Sequence, residues 1–212
     1  MSLKYLNTFI GITFFIVFTS MISPNASFIG DNNNNVTNNE ENTTIIENNI
    51  DTNKNALVDE VNNYIKHIAP SSVLNGETIV DLCYTYDVDI IFVLAQGQIE
   101  SHYGTRGTAS KTHSVFNVGA YDGYSASQQK KNGFGFPHPD ESVEPYLQLL
   151  TTKYLVNGKT EKDLMNSYVN YLGMRYASNG NYEIMLMSVY KNIDKKTNIK
   201  NLYNEYIFSL EC

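Results

Sequence analysis

Residues 88–104 read VDIIFVLAQGQIESHYG, and the rest of the chain can be interpreted outward from this run. Six consecutive apolar residues, 90–95, are too many for one face of a surface helix, so they predict a helix that is buried on most sides. Asp89 can cap the start of this helix, and Gly104 can end it in a left-handed turn. The predicted helix therefore spans residues 89–103.

Glu100 lies about one turn beyond the apolar run. A carboxyl that emerges from a core is costly to ionise, so we expect its pKa to be raised. A carboxylic acid that stays protonated near neutral pH is what glycosidic cleavage needs as a general acid. Gln96 lies four residues earlier on the same helix face, where its amide can hydrogen-bond the carboxyl. The alternative is that Glu100 is an ordinary surface residue at a helix end and Gln96 is incidental.

Gly97 interrupts the same helix, at a cost of about 1 kcal/mol relative to alanine. Its presence indicates that something approaches the helix backbone there, either a packed helix or a sugar ring.

Four blocks of sequence within about residues 88–193 occur in a recognisable order. They are LAQGQIESHYG at 94–104, SVFNVG at 114–119, ESVEPYLQLL at 141–150, and RYASN at 175–179 followed by Tyr182. Together they resemble the signature of the bacterial glucosaminidases of glycoside hydrolase family 73. The resemblance implies a lysozyme-like α+β fold, with the catalytic Glu at the end of a buried helix and a cleft between two lobes.

The resemblance also implies a substrate and a reaction. Glu100 would be the general acid of a peptidoglycan hydrolase that cleaves the glycan strand at N-acetylglucosaminyl β-1,4 linkages. The chain departs from the family pattern at two places. His102 replaces the usual Gly, which alters the rim of the cleft. In residues 119–138 the only acid is Asp122, where many members carry a second acidic residue on a hairpin, and Asp140 and Glu141 have the pattern of a helix start.

With one clear acid, three routes remain open, because ordinary hydrolysis uses two carboxylates. The 2-acetamido oxygen of the substrate can attack the anomeric carbon, a muramic hydroxyl can close a 1,6-anhydro ring as in lytic transglycosylases, or Asp122 can direct a water. We favour the first route, because the resemblance implies cleavage after N-acetylglucosamine. The alternatives in function are a lytic transglycosylase or muramidase with the same acid, and a non-catalytic wall-binding module.

Further candidate site residues come from the same blocks and the insert. Tyr176 can hydrogen-bond the acetamido group or steady the intermediate, with a packing role as the alternative. The residues expected to bind the sugar are Gln96, Ser101, Tyr103, Phe116, Asn117, Tyr121 and Tyr124.

From residue 56 onward the apolar spacing predicts a mostly helical domain. Helices are expected from 56 to just before Pro70, from near Asn75, from Ser142 or Asp140, from Thr160 to Gly173, around residues 182–193, and in the tail. Residues 104–139 are rich in Gly, Ser, Asn and Tyr and predict loops with a short hairpin. The expected fold class is α+β, predominantly helical, with this loop-rich or hairpin insert beside the cleft.

The N-terminal part predicts export. Residues 1–27 have an apolar run with Lys4 as their only charge, which is typical of a signal peptide or an uncleaved signal anchor. Residues 28–55 are rich in Asn and predict a disordered linker. Residues 56–212 form the predicted catalytic domain. The expected location is extracytoplasmic, secreted or attached to the membrane by the first segment.

The composition limits the classes of molecule that the chain is expected to bind. A net charge of −7 with no basic run argues against nucleic-acid binding and against electrostatic capture by an anionic wall. With 16 Tyr and no Trp, tyrosine is the expected sugar-stacking residue. The four histidines lack metal-ligand spacing, so we assign no metal and no cofactor, and we expect a monomer. Cys83 and Cys212 either form a disulfide or leave a buried free thiol at Cys83.

Overall fold

The computed structural model of the chain describes residues 36–118 and 135–211, with side chains from residue 48 onward. The described residues are predominantly helical, as predicted, and contain eight α-helices. These are α1 Val36–Ile68, α2 Gly76–Tyr86, α3 Ile90–Ser101, α4 Ala109–Thr112, α5 Val143–Leu149, α6 Glu161–Asn166, α7 Tyr182–Lys196 and α8 Ile199–Leu210.

Two irregular helical turns flank α5, a 3₁₀ turn at Pro139–Ser142 and a π turn at Leu150–Tyr154. Among the described residues the β structure amounts to one isolated antiparallel bridge, between Val169 and Arg175. The short hairpin predicted within 104–139 falls largely on residues 119–134, which lie outside the described residues. Its described beginning contains turns and the short helix α4.

Helix α3 is the central element, and α2, α7 and α8 pack against it. Every residue from Ile90 to Gly97 is buried, which confirms the predicted buried helix. Asp89 caps it as predicted, because its carboxylate accepts hydrogen bonds from the backbone N–H of Ile91 at 2.8 Å and of Phe92 at 3.2 Å. The described core therefore surrounds the helix that ends beside Glu100.

The end of α3 differs from the prediction. The helix stops at Ser101, because His102 and Tyr103 both adopt left-handed conformations, with φ of +49° and +52°. His102 thus takes the capping conformation that favours glycine. Gly104 follows with φ of +81° as the third successive left-handed residue. This turn sends the chain sharply away from the helix end.

The helix backbone at Gly97 is closely approached, as predicted, but by aromatic side chains rather than by a packed helix or a sugar ring. A Cβ at this position would lie 3.2 Å from Cδ1 of Tyr103 and 3.3 Å from Cε1 of Phe116. The Tyr103 hydroxyl donates to the carbonyl of Leu94 at 3.0 Å, which fixes the ring against the helix. Gly97 therefore serves the packing of two aromatic rings rather than the passage of a sugar.

Helix α1 begins at Val36, so residues 36–55 are helical where the sequence pattern predicted a linker without stable structure. The second half of this stretch has tertiary contacts that the pattern could not reveal. Ile50 packs against the core, and the Lys54 ammonium lies 2.8 Å from Asp81 and 3.2 Å from Glu77 on α2. These contacts place the beginning of the folded body before residue 56.

No helix within residues 36–118 and 135–211 is long and apolar enough to cross a membrane. Residues 1–27, to which the prediction of a signal peptide or anchor applies, lie outside the described residues.

Helix α6 is shorter than predicted. Thr160 caps it in a reciprocal capping box with Asp163, but the helix ends at Asn166 and does not continue to Gly173. The chain then folds back, so that the Tyr176 N–H donates to the carbonyl of Tyr168 at 2.9 Å. Leu172, inside the range predicted to be helical, is 64% exposed at the tip of this loop. The loop brings Tyr168 and Tyr176 against α3.

Candidate active site

Both carboxylate oxygens of Glu100 are held by hydrogen bonds at the end of α3. Oε1 accepts from the Tyr182 hydroxyl at 2.5 Å, and Oε2 accepts from Nδ2 of Asn117 at 3.0 Å. The same Nδ2 donates to the backbone carbonyl of Glu100, also at 3.0 Å. One amide therefore fixes the side chain relative to its own backbone, and the carboxyl is oriented before any substrate arrives.

Burial raises the pKa of Glu100 above its ordinary value, and the hydrogen bonds from Tyr182 and Asn117 partly oppose that rise. No other carboxylate among the described residues contributes to the raised pKa. The Glu100 carboxyl therefore stays protonated to higher pH than a carboxyl in water. The two hydrogen-bond donors stabilise the carboxylate that remains when the proton leaves.

The two donors come from distant parts of the chain. Asn117 adopts a left-handed conformation with φ of +52°, which asparagine tolerates better than most residues. It directly follows the buried Phe116, so the core packing of that ring places the amide. Tyr182 is the first residue of α7 and is 4% exposed. Because α7 packs on α3, the Tyr182 hydroxyl comes within hydrogen-bond distance of Oε1.

A cluster of tyrosines lies beneath Glu100. The rings of Tyr168 and Tyr176 stack at 4.6 Å with an interplanar angle of 18°. The Tyr176 ring also lies 5.8 Å from that of Tyr182 and 5.6 Å from that of Tyr154. The Tyr176 hydroxyl donates to the carbonyl of Phe116 at 2.9 Å. Burial, followed by the charge of Glu100, raises the pKa of Tyr176 well above its usual range. Tyr176 therefore stays neutral beside the carboxyl.

Residues 76–195 match the family model described as Mannosyl-glycoprotein endo-beta-N-acetylglucosaminidase. The chain belongs to this glucosaminidase family. It is accordingly a glycoside hydrolase of the endo-β-N-acetylglucosaminidase type, and its substrate is a glycan. No curated protein and no solved structure matches the chain significantly. The matched segment includes Glu100 and both of its hydrogen-bond donors, Asn117 and Tyr182.

Four residues of the glucosaminidase that the sequence assigned to sugar binding are core residues instead. Gln96, Ser101, Tyr103 and Phe116 are 0%, 2%, 1% and 1% exposed. Full burial of these side chains argues against direct contact with a glycan at the surface, and their assignment to substrate binding stays a prediction. Their contacts show what each one does within the fold.

The expected hydrogen bond between Gln96 and Glu100 is also absent. The Gln96 Oε1 atom accepts from the hydroxyls of Tyr146 at 2.6 Å and Tyr168 at 2.8 Å. The two tyrosine hydroxyls occupy both acceptor positions of this oxygen, and Nε2 of Gln96 has no partner among the described residues. Gln96 therefore faces the tyrosine cluster.

Ser101 braces the turn after α3. Its hydroxyl donates to the carbonyl of Val115 and accepts from the N–H of Gly104, both at 2.7 Å. Ser142 has a similar role from the other side, because its Oγ accepts from the Val115 N–H at 3.0 Å and donates to the Pro139 carbonyl at 2.7 Å. These contacts hold the segment that leads to Asn117.

The remaining predicted residues divide into two groups. Asn117 and Tyr176 are partly exposed and lie beside Glu100, so the structure brings them to the candidate site. Asp122, Tyr121 and Tyr124 lie outside the described residues, and their assignments stay predictions.

Tyr182 is the residue beside Glu100 that the sequence interpretation did not assign to the site. It belongs to the fourth sequence block, and its position at the start of the helix predicted around residues 182–193 was visible. Its pairing with Glu100 was not, since the two positions are 82 residues apart. A tyrosine that opens a helix in a block quoted for its family resemblance was the available signal.

Cys83 is a buried free thiol, and burial raises its pKa well above the usual range. Cys212 lies outside the described residues. Within residues 36–118 and 135–211, no three His, Cys, Asp or Glu side chains form a group that could hold a metal ion.

Proposed function

We propose that this glucosaminidase hydrolyses peptidoglycan at N-acetylglucosaminyl β-1,4 linkages, with Glu100 as the general acid in the cleft of a lysozyme-like, two-lobed domain. The observation that carries the proposal is the double hydrogen bond to the Glu100 carboxyl, from Tyr182 to Oε1 and from Asn117 to Oε2. A raised pKa and a fixed orientation are the two properties that a general acid requires.

In the first step the protonated Glu100 donates its proton to the glycosidic oxygen as the bond to the anomeric carbon breaks. Burial keeps the proton on the carboxyl until a leaving oxygen needs it. As the carboxylate forms, the hydroxyl of Tyr182 and the amide of Asn117 already point at its oxygens, so no reorganisation is needed to stabilise the charge.

For the nucleophile we favour the acetamido oxygen of the substrate, because membership of the glucosaminidase family supports cleavage after N-acetylglucosamine, the sugar that carries this group. Its attack on the anomeric carbon forms a cyclic intermediate, which water opens while the Glu100 carboxylate accepts the water proton. The Tyr176 hydroxyl proton is engaged by the Phe116 carbonyl, but its oxygen can still accept a hydrogen bond from the acetamido N–H. Asp122 directing a water is the second candidate for this step.

The test is a hydrolysis assay on purified wall. Glu100→Gln should lower turnover by at least ~10², since general acid catalysis typically contributes about 10²–10⁴. Glu141→Gln is the matched control, an exposed glutamate in the 3₁₀ turn before α5. Near-native turnover of Glu100→Gln would remove Glu100 from the role of acid.

The products and a second variant separate the remaining possibilities. The proposal predicts new reducing N-acetylglucosamine ends. Reducing muramic ends would establish a muramidase, anhydro-muramic ends a transglycosylase, and binding without cleavage a wall-binding module. Asp122→Asn should reduce turnover far less than Glu100→Gln. Equal losses would establish a mechanism with two carboxylates.

We further propose that the enzyme acts outside the cytoplasm, exported or tethered by the apolar segment within residues 1–27. The observation behind this proposal is the apolar run itself. Fractionation of cells that express the full chain tests it, and recovery of the protein in the cytoplasmic fraction alone would contradict it.

A further inference from the structure

We propose that Gln96 is a positioning residue that joins the two groups of side chains holding Glu100, and that its amide oxygen sets the orientation of the acid. The proposal rests on the proposed role of Glu100 as general acid. It assigns a function to a fully buried amide that makes no contact with the carboxyl it serves.

The first connection runs from Gln96 to Oε2 of Glu100. The Tyr146 hydroxyl donates to Oε1 of Gln96 at 2.6 Å. The Tyr146 ring stacks on the ring of Phe116 at 3.9 Å with an interplanar angle of 9°. The next residue in the chain is Asn117, which donates to the carboxylate. A change in the position of Tyr146 would therefore move the Asn117 amide.

The second connection runs from Gln96 to Oε1 of Glu100. The Tyr168 hydroxyl donates to the same oxygen of Gln96 at 2.8 Å. Tyr168 stacks on Tyr176 at 4.6 Å, and Tyr176 in turn lies 5.8 Å from the ring of Tyr182, the donor to Oε1. The bond from Tyr176 to the Phe116 carbonyl links this connection to the first. The two connections thus form one closed network.

An amide suits the centre of this network better than any other side chain of its size. Its oxygen has two acceptor sites, which the two hydroxyls fill, and it carries no charge at any pH. A carboxylate there would add a second buried negative charge beneath Glu100. Methionine would fill the volume but remove the oxygen that accepts from both hydroxyls. The Gln96 Nε2 atom finds no partner among the described residues, so the oxygen is the part of the amide that the structure uses.

The ionisable groups around the network are few. The ionisable side chains around the Gln96 amide come from three places. They are Tyr146 on α5, Tyr154, Tyr168 and Tyr176 between α5 and α7, and Tyr182 and Glu100 at the site. Burial raises the pKa of Tyr146, Tyr168, Tyr176 and Tyr182 well above the usual range, so these tyrosines remain neutral at working pH. Within this set Glu100 is the group that titrates, and a pH profile reports on it.

The main experiment replaces Gln96 with Met in the full chain and measures kcat, KM, the pH profile and the melting temperature. We expect kcat to fall about 10-fold or more through misplacement of the acid, with KM changed less than about 2-fold. The alkaline limb of kcat/KM should move to higher pH, because loosened donors stabilise the ionised Glu100 less well. An unchanged kcat and pH profile in a folded Gln96→Met protein would overturn the proposal.

Two conservative variants serve if Gln96→Met does not fold. Tyr146→Phe and Tyr168→Phe each remove one hydroxyl that donates to Gln96 and keep the ring. Each should lower kcat and move the limb in the same direction, by less than Gln96→Met. Tyr154→Phe is the matched control, since this hydroxyl in the same cluster makes no hydrogen bond among the described residues. Loss of kcat in Tyr154→Phe as large as in Tyr168→Phe would contradict a specific role of the amide.

A double variant separates this proposal from the proposed function. If Gln96 acts through Glu100, then Gln96→Met should lower turnover no further in a Glu100→Gln background. A full additional loss there would overturn the positioning role and leave Glu100 as the acid. Near-native turnover of Glu100→Gln alone would instead overturn the proposed function itself.

Discussion

Replacement of Tyr182 by Phe should move the pH dependence of the enzyme. The change removes the hydroxyl that donates to Oε1 of Glu100 at 2.5 Å and keeps the buried ring. A hydrogen bond to a charged group contributes about 1.5–3 kcal/mol, which corresponds to a change of about 10- to 150-fold in the ratio of protonated to ionised Glu100 at a given pH. Since the lost donor stabilised the ionised form, the pKa of Glu100 rises further and the protonated acid persists to higher pH.

The assay is kcat/KM for a soluble glycan fragment measured across the pH range, because this quantity reports the ionisation of the free enzyme. The alkaline limb should lie at higher pH in Tyr182→Phe than in the unmodified enzyme. Tyr190→Phe is the matched control. Tyr190 lies on the same helix, α7, and donates to a different carboxylate, Asp89, at 2.7 Å. It should lower stability without moving the limb. An unmoved or acid-shifted limb in Tyr182→Phe would refute the reasoning.

Three further predictions concern stability. Folding raises the pKa of Glu100, so the unmodified enzyme loses stability as pH rises from the ordinary pKa of 4.5 through the raised pKa of the folded state. Glu100→Gln should therefore have a higher melting temperature than the unmodified enzyme at neutral pH, and this difference should disappear in acid. A difference in melting temperature that stays constant at all pH values would contradict this prediction. Gly97→Ala should lower the free energy of unfolding, measured in urea, by about 1–3 kcal/mol, because the added Cβ overpacks against Tyr103 and Phe116. Gly180→Ala is the control, because open space surrounds Gly180, and it should not lower this free energy. Equal effects of the two substitutions would contradict the close approach at Gly97. A chain that begins at Asn48 should melt like the full chain. Further removal through Lys54 should lower stability by about 1 kcal/mol or more, because it deletes both the packing of Ile50 and the ion pairs of Lys54. An unchanged melting temperature would be the contrary result.

The sequence predicted those helices whose ends are set by nearby residues. Asn75 caps α2 and Asp89 caps α3 through hydrogen bonds to backbone N–H groups two or three residues ahead, and such bonds depend on local spacing alone. The same reasoning failed after Thr160. The apolar spacing continued through Tyr168 to Leu172, but the chain leaves the helix at Asn166, and a distant carboxylate, Glu183, accepts from the Tyr168 N–H at 3.1 Å. No local pattern encodes that contact.

In the candidate site, too, the features set by local sequence were predictable and those set by distant contacts were not. Glu100 was identifiable because a carboxyl at the end of an apolar helix is conspicuous in one window of sequence. The predicted hydrogen bond from Gln96 to Glu100 was wrong. Spacing on a helix shows which side chains of that helix are neighbours, but it does not show which groups from distant parts of the chain bond to them. The sites of Tyr146 and Tyr168 lie 50 and 72 residues from Gln96. The burial of Tyr103 could not be read from the sequence, because it depends on the left-handed turn at His102 and Tyr103 that follows α3.

The long span between Glu100 and its donors has a consequence for how activity appears during refolding. Asn117 lies 17 residues away and Tyr182 lies 82 residues away, so one donor can arrive by local collapse while the other requires α7 to dock on α3. Contacts between residues so far apart in sequence form slowly, because a long loop must close first. Catalytic competence should therefore lag behind the recovery of helical signal in a refolding time course, and intermediates that already look helical should still be inert toward glycan.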